Sequence, residues 1–131
     1  MAKILITDDH ADDRLFYRTV LEAAGHEVEE AADGATALEV ARRFRPDLVI
    51  SDVLMPRMDG FQLCREMERD ETLRRTPFLF CSANYVEPAH AELASELGAR
   101  QFLLKPLDAA ALRAAAHAAI TQGPVRDATA R

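Results

Sequence analysis

Three aspartates, a serine and a lysine stand at matching places in this sequence, each directly after a short apolar run. Asp8 and Asp9 follow Ile4-Leu5-Ile6-Thr7, and Asp52 follows Leu48-Val49-Ile50-Ser51. Ser82 follows Phe78-Leu79-Phe80-Cys81, and Lys105 follows Phe102-Leu103-Leu104. Taken singly, each has an ordinary reading. The aspartates and Ser82 can open or cap the next helix, and Lys105 can be a solvated surface charge. Taken together they describe a chemistry. Three crowded carboxylates repel one another unless a cation joins them. Carboxylate oxygens with room for water suit Mg²⁺. A lysine beside that ion makes a site for an incoming anion. A phosphoryl group fits, because its transfer needs mostly positioning and charge neutralisation. An aspartate can then act as the nucleophile and become an aspartyl phosphate.

These five residues meet only if the runs before them are strands of one parallel sheet. All the C-terminal strand ends then open on one edge, where open α/β sheets place their ligands. The pattern supports that arrangement. Lys3 to Thr7 reads as strand one, with a helix after it to about Ala24. That helix shows Leu15, Phe16, Thr19, Val20 and Ala23 at helical spacing, and Gly25 is its natural stop. Strand two, Glu27 to Ala31, is polar and suits a sheet edge. Asp33 caps a helix with Ala37, Val40, Ala41 and Phe44 on its face. Asp47 to Asp52 is strand three, and helix three starts near Asp59-Gly60 with Phe61, Cys64 and Met67. Pro77 opens strand four, Phe78 to Cys81. Helix four runs from about Pro88 to Leu97 with a thin stripe, mainly Leu93 and Leu97. Strand five is Gln101 to Leu104, and Asp108 caps a last, alanine-rich helix through Ile120. Five strands alternating with five helices imply right-handed crossovers and a parallel sheet covered on both faces.

With 131 residues the chain has length for one domain and one core. Its 49% hydrophobic and 29% charged residues place it among globular rather than disordered chains. A net charge of -6 argues against a phosphate-neutralising nucleic-acid surface. No apolar run approaches the ~20 residues of a membrane span. The N-terminus enters a strand directly and lacks the layout of a signal peptide. Cys64 and Cys81 are the only cysteines, and neither spacing nor setting suggests a metal. They read as buried thiols in a reducing cytoplasm. Thr121 onward is small and polar. The expected organisation is one domain over residues 1–121 and a polar tail or linker start over 122–131.

The chain resembles the receiver domain of two-component response regulators over about residues 3 to 120. The residues that carry this are Asp8-Asp9, the segment Ser51-Asp52-Val53-Leu54-Met55-Pro56-Arg57-Met58-Asp59-Gly60, Ser82 and Lys105-Pro106. The resemblance implies a flavodoxin-like, doubly wound five-stranded parallel sheet of order 2-1-3-4-5. It implies that Asp52 accepts phosphate from a phosphohistidine on a sensor histidine kinase or phosphotransfer protein. It also implies that Asp9, Asp52 and the Leu54 carbonyl bind Mg²⁺ directly, with Asp8 acting largely through water. Ser82 and Lys105 would contact the phosphoryl oxygens, and Phe102 holds the position of the family's switch aromatic. A cis peptide before Pro106 belongs to the same pattern.

Leu54 is apolar where the family commonly carries a polar residue, and Asn84 is the second position associated with dephosphorylation rate. Leu54 also weakens a competing reading, a metal-dependent phosphatase with an aspartate nucleophile, which places a second aspartate two residues after the first. A flavin or nucleotide module on this fold needs a glycine- or hydroxyl-rich loop after strand one. The acidic Thr7-to-Asp13 stretch is the opposite. His10 could be a transition-metal ligand but reads first as a residue of the first helical turn. His26, His90 and His117 have no partners at ligand spacing. Arg42-Arg43 and Arg74-Arg75 read as solvated faces, and Tyr85 as packed over its loop or exposed. No basic recognition helix is visible, so direct DNA binding is not expected. The chain can be a stand-alone receiver or a receiver from a larger regulator or hybrid kinase. Phosphorylation is expected to switch helix four, strand five and helix five for partner binding or homodimerisation.

Overall fold

The computed structural model describes residues 1–83 and 88–123. The strands are β1 (Lys3–Thr7), β2 (Glu27–Ala31), β3 (Leu48–Ser51), β4 (Phe78–Ser82) and β5 (Gln101–Leu104). The helices are α1 (Ala11–Ala23), α2 (Gly34–Phe44), α3 (Gly60–Arg69), α4 (Pro88–Glu96) and α5 (Ala109–Thr121). All neighbouring strands are parallel, in the order β2-β1-β3-β4-β5. The polar strand β2 lies at one edge, as its composition suggests.

Side chains of a strand alternate between faces, and the sheet divides the core in two. Leu5, Val49, Phe78 and Phe80 point to one side with residues of α2, α3 and Ala94 of α4. Ile4, Ile6, Leu48, Ile50, Leu79 and Cys81 point to the other with α1 and α5. The central strands β3 and β4 are buried along their whole length, which accounts for their unbroken apolar runs.

Asp33, Asp59 and Asp108 cap α2, α3 and α5 by accepting the backbone N–H of Thr36, Gln62 and Ala111. Each cap satisfies a donor that the first helical turn leaves open. The buried face of α1 differs from the expected stripe. Tyr17, Val20 and Leu21 are buried, whereas Leu15 is 63% exposed, and Thr19 and Ala23 also face outward. Tyr17 fills the core with its ring while its hydroxyl donates to Cys81 Sγ at 3.3 Å, and Leu15, two residues earlier, lies on the opposite side of the helix. Among the described residues of α4, Ala94 is buried and Leu93 half-buried, and Leu97, just past the helix end, is half-buried. Arg42 and Arg43 are exposed, as expected, and also reach Asp70 and Glu29 at 3.4 Å. Both thiols are free and buried, as expected. No described helix is long and apolar enough to cross a membrane.

Candidate functional site

The parallel register sets the C-terminal ends of β1, β3, β4 and β5 side by side. Thr7 pairs with Ser51, and Ser82 with Leu104. The residues that follow continue the ladder. Asp52 N–H donates to the Thr7 carbonyl at 3.0 Å, and Lys105 N–H to the Ser82 carbonyl at 3.0 Å. Sheet hydrogen bonding therefore holds Asp8, Asp52, Ser82 and Lys105 in one row. Asp8, Asp52 and Ser82 are buried, and Asp9 is exposed at the rim.

The carboxylates are held individually. His10 N–H donates to Asp8 Oδ1 at 2.9 Å, and Arg14 reaches the Asp8 carbonyl at 2.7 Å. Val53 N–H donates to Asp52 Oδ1 at 2.6 Å. Lys105 Nζ donates to Asp8 Oδ2 at 2.6 Å, Asp13 Oδ2 at 2.8 Å and Asp52 Oδ2 at 3.2 Å. Its side chain is only 9% exposed, so the solvated-charge reading of Lys105 is overturned. Burial works against the ammonium charge. The hydrogen bonds to Asp13 and Asp8 and the nearby carboxylate charges outweigh it and raise the Lys105 pKa.

His10 is the N-cap residue of α1 rather than a member of its first turn. Its Nδ1 lies 3.0 Å from Asp8 Oδ1 and 3.2 Å from Asp9 Oδ1. The hydrogen bond to Asp8 and the charges of Asp9 and Asp8 raise its pKa. Asp8, Asp9, His10 and Asp52 each offer a ligand atom, all within 4.8 Å of one another. Two carboxylates at the floor and one at the rim supply hard oxygen donors with solvent beside them. That donor set fits Mg²⁺, which takes carboxylate oxygens and keeps several waters.

The loop after β3 is fixed from two sides. The backbone of Asp52 lies against Gly60, and that of Met58 against Gly34, too close in both cases for a Cβ. Arg57, at φ 68, donates to both Asp33 oxygens and to Thr36 Oγ1. The Leu54 side chain is 57% exposed in this loop. The Lys105-Pro106 peptide is cis. Phe102 is half-buried, its ring centroid 5.8 Å from that of Phe80. Asn84, Tyr85 and Val86 lie outside the described residues.

Sequence reasoning passed over Asp13 and Arg57. Asp13 lies in the first turn of α1, and no local pattern distinguishes it from Asp12 beside it. Nothing in the sequence near Arg57 points to Asp33.

The family description "Response regulator receiver domain" matches residues 4–117. The response regulator PleD of Caulobacter vibrioides is 39% identical over 107 residues, which are 82% of this chain and 23% of PleD. Protein PilH of Pseudomonas aeruginosa is 33% identical over 108 residues, covering 82% of this chain and 88% of PilH. Among solved structures, the chemotaxis protein CheY4 of Vibrio cholerae superposes with a TM-score of 0.85 at 34% identity, over 91% of this chain and 98% of CheY4. This chain belongs to the response regulator receiver domain family.

Proposed function

We propose that the protein is the phosphoacceptor of a two-component phosphorelay, with Asp52 as the accepting residue. The observation that carries this reading is the position of Asp52. It is buried at the end of β3, 3.2 Å from Lys105 Nζ, in a cluster with Asp8 and Asp9. The donor would be a phosphohistidine on a sensor histidine kinase or phosphotransfer protein. An Asp52 carboxylate oxygen forms a bond to phosphorus while the phosphorus–nitrogen bond of the donor breaks. The imidazole leaves with the electron pair and takes up a proton. Lys105 and the Ser82 hydroxyl, held on the adjacent strand ends, would bind the transferred oxygens.

Asp9, Asp52 and the Leu54 carbonyl would hold Mg²⁺, with Asp8 in support through water. When bound, the ion neutralises charge on the phosphoryl group as it transfers. The same site would carry out hydrolysis of the acyl phosphate. Leu54, apolar and exposed, offers no hydrogen bond to orient an attacking water. Residues 1–121 would form the working unit, either alone or as the receiver of a longer regulator or hybrid kinase.

The test is intact-mass measurement after incubation with acetyl phosphate or phosphoramidate and Mg²⁺. The wild-type protein should gain one phosphoryl group and Asp52→Asn none. Equal labelling of both overturns the assignment.

A further inference from the structure

The Lys105 ammonium carries three protons, and three different carboxylates take them: Asp8, Asp13 and Asp52. An anion arriving at Asp52 therefore meets a lysine with no donor to spare. The three partners are not equally able to let go. The Asp8 side chain is fully buried and that of Asp52 nearly so. Releasing either would strand a desolvated carboxylate. The Asp13 side chain is 39% exposed, and on leaving Lys105 it can turn to water. Asp13 lies on α1 rather than at a strand end, so no sheet hydrogen bond fixes it in the row.

We infer that Asp13 is a positioning residue that holds the resting Lys105 ammonium and yields it when a phosphoryl group binds at Asp52. This rests on the reading of Asp52 as phosphoacceptor. Asp13 then acts as an internal competitor of the incoming anion. It sets how readily the site fills, since every phosphoryl group must displace a carboxylate already in place. The carboxylate also adds a negative charge near the anion's path, so two routes to the same effect must be separated.

The experiment is a fluorine NMR titration with beryllofluoride, the phosphoryl mimic, in Mg²⁺. It compares wild type, Asp13→Asn, Asp13→Glu, Lys105→Met and the Asp13→Asn/Lys105→Met double variant. Asp13→Asn should bind roughly threefold to tenfold more tightly, the range for one partly exposed charged contact. Asp13→Glu should return most of the way to wild type. In the Lys105→Met background the Asp13→Asn gain should vanish, as a double-mutant cycle requires when one residue acts through the other. A gain that persists there shows simple charge repulsion and overturns the inference. So does Asp13→Asn binding equal to or weaker than wild type. If wild type itself takes up no beryllofluoride, the phosphoacceptor reading falls instead.

Discussion

The carbonyl oxygen of Asp52 occupies the space that a Cβ on Gly60 would need. Gly60 N–H also donates to the Val53 carbonyl at 2.7 Å, closing the loop between them. A methyl group here would have to push on the backbone of the proposed phosphoacceptor, with no flexible side chain to give way. Gly60→Ala is therefore expected to cost about 2 kcal/mol or more, within the range for overpacking a buried site. Urea unfolding with an unchanged m-value checks it. A loss below about 0.5 kcal/mol would show that the loop can move aside.

Metal binding should separate the two N-terminal aspartates. Asp8 is already engaged by Lys105, His10 and its own buried setting, whereas Asp9 stands at the rim. Asp9→Asn should weaken Mg²⁺ binding more than Asp8→Asn in a calorimetric titration. The reverse order would exchange their roles.

Coupling to the far edge of the sheet is expected through Ser82 and Phe102. Extra charge and acceptor oxygens on Asp52 should draw the Ser82 hydroxyl toward them. That frees room for Phe102 to turn further inward. The surface affected is α4, β5 and α5. There Leu104 is 59% exposed and Ala110, Ala111 and Ala114 face solvent. Ala115, Ala116 and Ala119 pack into the protein's own core, so only the outer alanines can meet a partner. Amide shifts on adding beryllofluoride should extend through residues 88–120. Shifts confined to the loop after β3 would refute the coupling.

Acid should unfold the protein through identifiable carboxylates. Asp33 has a lowered pKa, chiefly from the Thr36 N–H it caps. Asp70 is lowered by the Thr72 hydroxyl and N–H. At Glu30 burial acts upward, but Arg18 and Arg14 overcome it and lower the pKa. A depressed folded pKa means stability that is present above the unfolded value and lost as pH falls. The urea midpoint should hold from pH 7 to about 5 and decline below pH 4.5. Asp33→Asn keeps a capping oxygen but removes the charge, so it should flatten part of that decline. An unchanged slope would acquit Asp33.

Much of this architecture was legible in the sequence because strands buried on both faces leave uninterrupted apolar runs, as in Leu48-Val49-Ile50. The row of site residues followed from one rule, that parallel strands end together. What stayed hidden lay off the sheet. Tyr17 was passed over because a phenol reads as surface until Cys81 is known to receive its hydroxyl. Asp13 was one of four aspartates near the start of α1, and only the tertiary placement of Lys105 singles it out. The clamp of Arg57 on Asp33 joins residues 24 apart in sequence through a left-handed backbone that no local signal requires.

Lys105 and Asp8 touch across 97 positions of sequence. A domain folds as a unit, so the acidic pocket and its balancing ammonium come together from separate strands of the same sheet. A variant cut before β5 would hold the carboxylates of Asp8 and Asp52 without the lysine that pairs with both. Charge balance in the pocket is thus complete only once the fifth strand has docked.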